Sequence, residues 1–310
     1  MRKWNKIIRI GKVFRKLLTS SDFRFHFLAD LGLFSRMDDV QLLRRLYKSI
    51  MGRTLDLENP QTFNEKLQWL KLYDRKPEYT RMVDKYRVRE YIAQTIGEEY
   101  LIPLLGVWED PEDIDFDALP DQFVLKCNHN SGLGMCICKD KSKLDIKKAK
   151  RELKKGLKQD YYLTGREWPY KDVPRRIIAE KYMVDESGTE LKDFKVLCFA
   201  GKAKMIQVHK DRFGYHTQDF YDTAWNKMDI YQMCAQSEVL MDKPMFLGQM
   251  LELSEQLSAD IPQLRVDWYG INGKLYFGEL TFFDASGFSC FEPEEWDYTF
   301  GEWIDLSKVQ

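Results

Sequence analysis

Two apolar, aromatic-rich runs flanking Asn272-Gly273 constrain this chain more than any other feature. Asn-Gly between such runs is the strongest short-range signal for a β-hairpin, because both residues accept the positive φ of a type I′ turn. The first run carries Arg265, Val266 and Asp267; the second carries Glu279, Leu280 and Thr281. Two hard carboxylates and a guanidinium on neighbouring strands make a place for Mg²⁺ and phosphate. The same pattern also describes a half-buried hairpin with its charges on the wet face. Register separates the two. A two-residue turn sets Asp267 opposite Gly278, and Glu279 then points to the other face, since side chains alternate along a strand. A shared metal therefore requires one extra residue on one arm, a β-bulge, and bulges are over-represented beside active sites.

The remainder of the chain is ordinary in composition. Its 310 residues are 44% hydrophobic and 31% charged, enough for one large domain or two to three small ones. Lys+Arg 48 against Asp+Glu 49 leaves a net charge of -1, so no global field favours nucleic acid. Aromatics reach 14%, which suits a protein with a cleft. Of the six cysteines, Cys136 and Cys138 are too close together for zinc spacing and read as strand residues in a reducing compartment. No apolar run has transmembrane length and no signal peptide is visible, so the expected location is cytoplasmic.

Charge is uneven at the start. Residues 1–20 hold Arg2, Lys3, Lys6, Arg9, Lys12, Arg15 and Lys16 and no acid. Trp4, Ile7, Ile8, Phe14, Leu17 and Leu18 share one helical face. Such a basic amphipathic helix suits an anionic membrane surface, and equally suits docking on the rest of the protein.

Along the chain, helices are expected over Val40–Met51, from Asn64 to Tyr73, and over Met82–Ile96, closed by Gly97. Leu101–Trp108 reads as a strand, and Glu109–Pro120 as an acidic loop. Phe123–Cys127 and Met135–Cys138 are strands around a polar turn from Asn128 to Gly134, and Leu144–Lys158 is a Lys-rich helix. Ile177–Met183 is a strand, Phe194–Phe199 and Lys204–Val208 form a hairpin around Gly201, and Met245–Ala259 is a helix before the final hairpin. This order reads as α+β in several lobes. Lys126 enters a turn bearing His129, Ser131, Gly132 and Gly134. An ammonium over exposed backbone N–H groups is a phosphate grip, although the spacing is neither that of a P-loop nor that of a dinucleotide fingerprint. The segment Glu180-Lys181-Tyr182-Met183 offers backbone groups and a Met face to a base. Asp193 and Lys195, two residues apart, share a strand face.

These pieces occur in an order that resembles the ATP-grasp ligases, and more closely the TupA-like ATP-grasp family associated with bacterial surface polysaccharides. The resemblance covers roughly residues 60–305. It rests on Asp84-Lys85-Tyr86 with Arg89, Val124-Leu125-Lys126-Cys127-Asn128-His129, Asp193-Phe194-Lys195, Phe220-Tyr221-Asp222, Arg265-Val266-Asp267, Gly278-Glu279-Leu280-Thr281 and Glu292 to Trp303. It implies an ATP-grasp fold of four parts: the basic helix 1–20, a helical region 21–120, a lid lobe 121–185 and a core lobe 186–310. By the same resemblance Arg89, Lys126, His129, Ser131, Gly132, Glu180, Lys181, Met183, Asp193 and Lys195 hold ATP, with Lys126 on its phosphates, Glu180 to Met183 at adenine and Asp193 at the ribose. Arg265 meets the transferred phosphate, and Asp267, Glu279 and Thr281 bind Mg²⁺. Two positions depart from the family pattern: Arg89 stands where many relatives have Lys, and Thr281 where Asn usually completes the metal site.

The implied chemistry is ATP-dependent activation of a carboxylate as an acyl phosphate and its capture by an amine, a reaction driven by positioning and charge neutralisation. The implied partners are a uronic acid or polysaccharide precursor and an amino acid or amine. Two alternatives remain: a glycosyltransferase using the Asp113-Ile114-Asp115-Phe116-Asp117 string, and a scaffold that binds nucleotide without turnover. His129, His209 and His216 lack metal-ligand spacing and read as polar or hydrogen-bonding groups.

Overall fold

The computed structural model describes residues 19–30, 32–185, 191–210 and 215–309. The expected basic helix at residues 1–20 falls almost wholly outside the described residues. Helices α1 (Ser21–Asp30) and α2 (Asp39–Met51) pack on each other through Phe25, Leu42 and Leu46. Asp38 caps α2 by accepting from Val40 and Gln41 N–H groups, and Gly52 closes it in the left-handed region. Helix α3 (Phe63–Tyr73) opens on a capping box in which Thr62 and Glu65 satisfy each other's backbone N–H groups.

The helix expected over Met82–Ile96 is two helices, α4 (Glu78–Val83) and α5 (Val88–Thr95). The break has a local cause. Asp84 is fully buried, and its carboxylate accepts from the Tyr86 and Arg87 N–H groups, an arrangement that competes with helix and starts α5 anew. The Asn128 side chain donates to the same carboxylate at 2.7 Å, and the Asn128 carbonyl takes the Lys85 N–H at 3.1 Å. The break therefore docks against the polar turn.

Two antiparallel sheets follow. The smaller runs in the order β1-β4-β2-β3, from Leu104–Trp108, Ile177–Lys181, Phe123–Cys127 and Met135–Cys138. Its edge strand β1 thus comes from before residue 121. One face packs on α6 (Ile146–Lys158) through Phe123, Leu125, Cys138, Leu153, Ile177 and Ala179. Gly134 and Gly156 touch backbone to backbone there, and a Cβ on Gly134 would lie 2.8 Å from the Gly156 Cα. A short helix, α7 (Tyr162–Gly165), follows α6.

The larger sheet has six strands in the order β10-β9-β5-β6-β7-β8: Lys274–Thr281, Gln263–Ile271, Lys192–Phe199, Lys202–Lys210, Thr217–Asp222 and Lys227–Met228. Its apolar face, with Phe194, Val196, Ile206, Val208, Val266 and Trp268, packs on α8 (Leu247–Leu257), and the Trp268 indole donates to Ser254 Oγ at 2.8 Å. Phe63 of α3 meets Phe199, Phe291 and Phe300 in an aromatic cluster that fastens the N-terminal helices and α9 (Glu295–Glu302) to this sheet. The opposite face of the large sheet carries Asp193, Lys195, Gln207, His209, Arg265 and Asp267.

Candidate active site

Asn272 and Gly273 both have positive φ, and Ile271 pairs with Lys274, so the turn is the two-residue turn expected. The ladder runs from Lys274↔Ile271 to Phe277↔Trp268 and then slips, so that Glu279 pairs with Asp267 and Thr281 with Arg265. Gly278 is the extra residue. A Cβ at Gly278 would sit 3.0 Å from the Asp267 carbonyl oxygen, so the bulge leaves little room for a side chain. With this slip Arg265, Asp267, Glu279 and Thr281 all face the cleft.

Their charges interlock. The Arg265 guanidinium donates to both oxygens of Asp267, at 2.7 and 2.8 Å, and lies 3.3 Å from Glu279 Oε1. Its third edge donates to buried Asp284, on the turn after β10. Lys195 of β5 stands opposite Asp267, donates to it, and lies 3.1 Å from Asp193 Oδ2. Burial alone would raise the Asp267 carboxyl, but Arg265 and Lys195 outweigh it and hold the group at about 2. Burial likewise opposes ionisation of Glu279, and Lys85 with Arg265 and Lys195 overcomes it, leaving that carboxyl below its usual range.

The small sheet supplies the other wall. Lys126 forms an ion pair with Glu180, its Nζ 2.7 Å from Oε2, and Arg89 lies 3.7 Å from Glu180 Oε1. In register, Lys126 pairs with Met135 and Val124 with Ile137. Met135 and Ile137 therefore share the Lys126 face, where they are 48% and 39% exposed, an apolar seat beside a cation.

Lys85 joins the two walls. Its ammonium donates to the Asn130 carbonyl in the polar turn at 2.7 Å and lies 3.7 Å from Glu279 Oε2 on the hairpin. Burial lowers the Lys85 ammonium's affinity for its proton, and Glu279 partly restores it. Lys85 belongs to the Asp84-Lys85-Tyr86 piece, yet the sequence reading gave it no role. Asp284 was missed too, as was buried Lys71. Lys71 donates to the Gly165 carbonyl at 2.7 Å, the Ser286 carbonyl at 2.8 Å and Gln68 Oε1 at 3.0 Å. Burial pushes Lys71 down to about 7 against the pull of Glu167, while burial raises the Glu167 carboxyl.

Several expected ligands sit differently from a simple ligand shell. His129 is buried, with Nε2 3.2 Å from the Gln159 carbonyl, so its ring is turned into the lid. Gly134 meets α6, whereas Gly132, at φ 81, has open space where a Cβ would go, and Ser131 is exposed. Lys181 alternates away from Glu180 to the outer face, where its side chain is exposed, so only its backbone can serve the cleft. Met183 is half-buried. Asp193 is buried and pairs with Lys195, where the sequence reading has it meeting a ribose. The Asp113 to Asp117 string faces away from the cleft. Ile114 and Phe116 pack in the α6 core, and Asp115 accepts from the Asp117 and Ala118 N–H groups.

The chain matches the TupA-like ATPgrasp family model over residues 65–305. The chain belongs to the TupA-like ATPgrasp family. No curated protein matches it significantly. Among solved structures it is similar to the D-alanine–D-alanine ligase of Bacillus anthracis complexed with ATP, at 18% identity and a TM-score of 0.42, covering 74% of this chain and 63% of that one. It is also similar to the D-alanine–D-alanine ligase of Helicobacter pylori, at 10% identity and a TM-score of 0.43, covering 79% of this chain and 70% of that one. This ATPgrasp chain thus spans less than two thirds of the Bacillus anthracis enzyme's length.

Membership of the family points to ATP use in general. Among the described residues no group of three His, Cys, Asp or Glu side chains is disposed to hold a metal ion. The donor set nonetheless suits Mg²⁺, which takes one or two carboxylates and completes its shell with phosphate oxygens and water. Glu279 keeps 34% of its side chain exposed, whereas both Asp267 oxygens are already engaged by Arg265 and Lys195.

The buried charge cluster yields a stability test. Asp267→Asn leaves Arg265 and Lys195 short of a partner and should cost about 3 kcal/mol at pH 7. Because the folded carboxyl is depressed to about 2, the wild-type advantage should be full above the unfolded value of about 3.9 and shrink as pH falls towards 2. Urea unfolding of both proteins from pH 7 to 3 checks this; a gap that stays constant, or is absent at pH 7, contradicts it.

Proposed function

We propose that this protein is an ATP-dependent carboxylate–amine ligase of surface-polysaccharide biosynthesis, joining an amino acid or amine to a uronic acid through an acyl phosphate. The observation that carries the reading is Lys85, whose ammonium meets the Asn130 carbonyl of the polar turn and lies beside Glu279 of the hairpin. A cation between a turn that can cradle phosphate and a carboxylate that can hold a metal belongs where a triphosphate ends. Family membership supports ATP use and ligase chemistry in general. The polysaccharide assignment, the uronate and the amine rest on the resemblance noted in the sequence.

In this reading Met135 and Ile137 seat the base against the Glu180 to Met183 segment. Lys126 and Lys85 neutralise the phosphates, assisted by Arg89 through Glu180. Arg265 is aimed by Asp267 and Asp284, so its guanidinium is fixed before substrate arrives and costs no reorganisation during phosphoryl transfer. Mg²⁺ held by Glu279 and Asp267, with the Thr281 hydroxyl adjacent, would neutralise charge on the phosphoryl group. The carboxylate oxygen attacks the terminal phosphorus and ADP leaves; the amine then attacks the acyl carbon and phosphate leaves.

The glycosyltransferase reading loses its support, since the Asp-x-Asp string serves as a turn behind the lid sheet. Incubation with ATP, a uronate oligomer and mixed amino acids should give ADP, phosphate and an oligomer heavier by one amino acid less water. ADP formation that never depends on a carboxylate would overturn the ligase reading. Glu279→Gln keeps shape and removes the charge a hard cation prefers, so turnover should fall roughly a hundredfold or more with little change in melting temperature. Undiminished turnover would remove Glu279 from the site.

No helix of the described residues is long and apolar enough to cross a membrane. For residues 1–20 we propose contact with an anionic membrane surface, at roughly 1 kcal/mol for each basic residue near it. Deleting them should release the protein from anionic liposomes, leave ATP binding intact and abolish a salt-sensitive interaction. Binding that ignores salt, or is absent in the full chain, would reject this contact.

A further inference from the structure

Beyond the cleft charges, the polar face of the large sheet carries a second chemical array. Cys234 is partly exposed, and its Sγ lies 3.2 Å from His216 Nδ1. The other nitrogen of that ring, Nε2, lies 2.9 Å from His209 Nδ1. His209 is buried on β6 directly opposite Asp193 of β5. A thiol within reach of an imidazole, itself oriented by a third group, is the arrangement that generates a nucleophile. Both ring nitrogens of His216 thus have a partner, Nδ1 facing the thiol and Nε2 facing His209 Nδ1.

The array also adjoins the candidate active site through amides. Gln232, two residues before Cys234, donates from Nε2 to Asp284 at 2.9 Å and to Ser289 Oγ at 2.7 Å. Asp284 in turn holds Arg265. Gln218 donates to Gln232 Oε1 at 2.8 Å and accepts from the Met233 N–H at 3.1 Å, which fixes the backbone next to the thiol.

We propose that Cys234 is an activated thiol and a modification site for soft electrophiles and hydroperoxides, with His216 as its base and His209 as the residue that positions that base. Towards an alkyl halide the sulfur forms an S–C bond, halide leaves, and the thiol proton remains on His216. Towards a hydroperoxide the sulfur takes the distal oxygen, the O–O bond breaks, the hydroperoxide is reduced, and the products are a sulfenate and an alcohol or water. Added bulk at Cys234 presses on the segment that holds Gln232, and so on the support of Asp284.

Cys290 is exposed and serves as the internal control. Wild-type protein treated with limiting iodoacetamide at pH 7 and mapped by peptide mass spectrometry should show Cys234 alkylated about tenfold faster than Cys290. That factor reflects a base within reach of the Cys234 sulfur that can take its proton as the S–C bond forms. His216→Gln should bring the Cys234 rate to or below the Cys290 rate and leave Cys290 unchanged. With hydrogen peroxide, sulfenate should be trapped at Cys234 before Cys290. A wild-type Cys290 that reacts as fast as Cys234, or a Cys234 rate indifferent to His216→Gln, would overturn the assignment. Should His216→Gln fail to fold, the ratio of the two wild-type rates still decides.

Discussion

One extra residue in β10 decides where the charges of this protein point. Gly278 shifts the ladder so that Glu279 pairs with Asp267, and everything on the cleft side follows from that slip. Without it, Glu279 would face the apolar side that packs on α8, where an ionised carboxylate has no partner. With it, Asp267, Glu279 and Asp284 surround Arg265, and Lys195 reaches Asp267 from β5. The cluster is balanced enough to be buried and is held by a closely packed sheet. A guanidinium fixed from three sides is pre-oriented for a phosphoryl group, which is the property such chemistry needs from a protein.

The lid is anchored by the same economy of polar contacts. Asn128 receives the Arg176 N–H, donates to Asp84 and to the Pro174 carbonyl, and accepts the Lys85 N–H at its own carbonyl. It therefore ties the polar turn, the break between α4 and α5, and the approach to β4 into one unit. Lys85 is aimed across the cleft because its backbone is held in that unit. The ammonium is partly desolvated and lies beside a carboxylate, so a phosphate arriving between them would meet a cation already in place.

Much of the fold was legible because its signals were local. The Asn272-Gly273 turn, the strand at Phe123–Cys127 and the helix running to Tyr73 each rest on a few neighbouring residues. The demand for a bulge was legible as well, since the side-chain period of a strand is fixed. What escaped required long-range contacts. Asp84 reads as an ordinary helical residue until Asn128, 44 positions away, is seen to bind it. Asp284 lies just past the hairpin in an apolar stretch, and only the Arg265 contact gives it meaning. His129 and Lys181 read as ligands by position along the chain; three-dimensional packing turns one ring into the lid and one side chain to the outer face. The Cys234–His216–His209 array joins residues from β6, the position just before β7 and a loop, and no spacing in the sequence announces it.

The central claim is that one nucleotide bridges the polar turn and the bulged hairpin, with Lys85 between them. The most direct test is a crystal structure of the protein with a non-hydrolysable ATP analogue and Mg²⁺. The account predicts the base against Met135 and Ile137, phosphates in contact with Lys126 and Lys85, the metal on Glu279 and Asp267, and the terminal phosphate facing Arg265. A nucleotide bound elsewhere, or one whose phosphates contact only one of the two sheets and leave the Lys85–Glu279 contact intact, would contradict it.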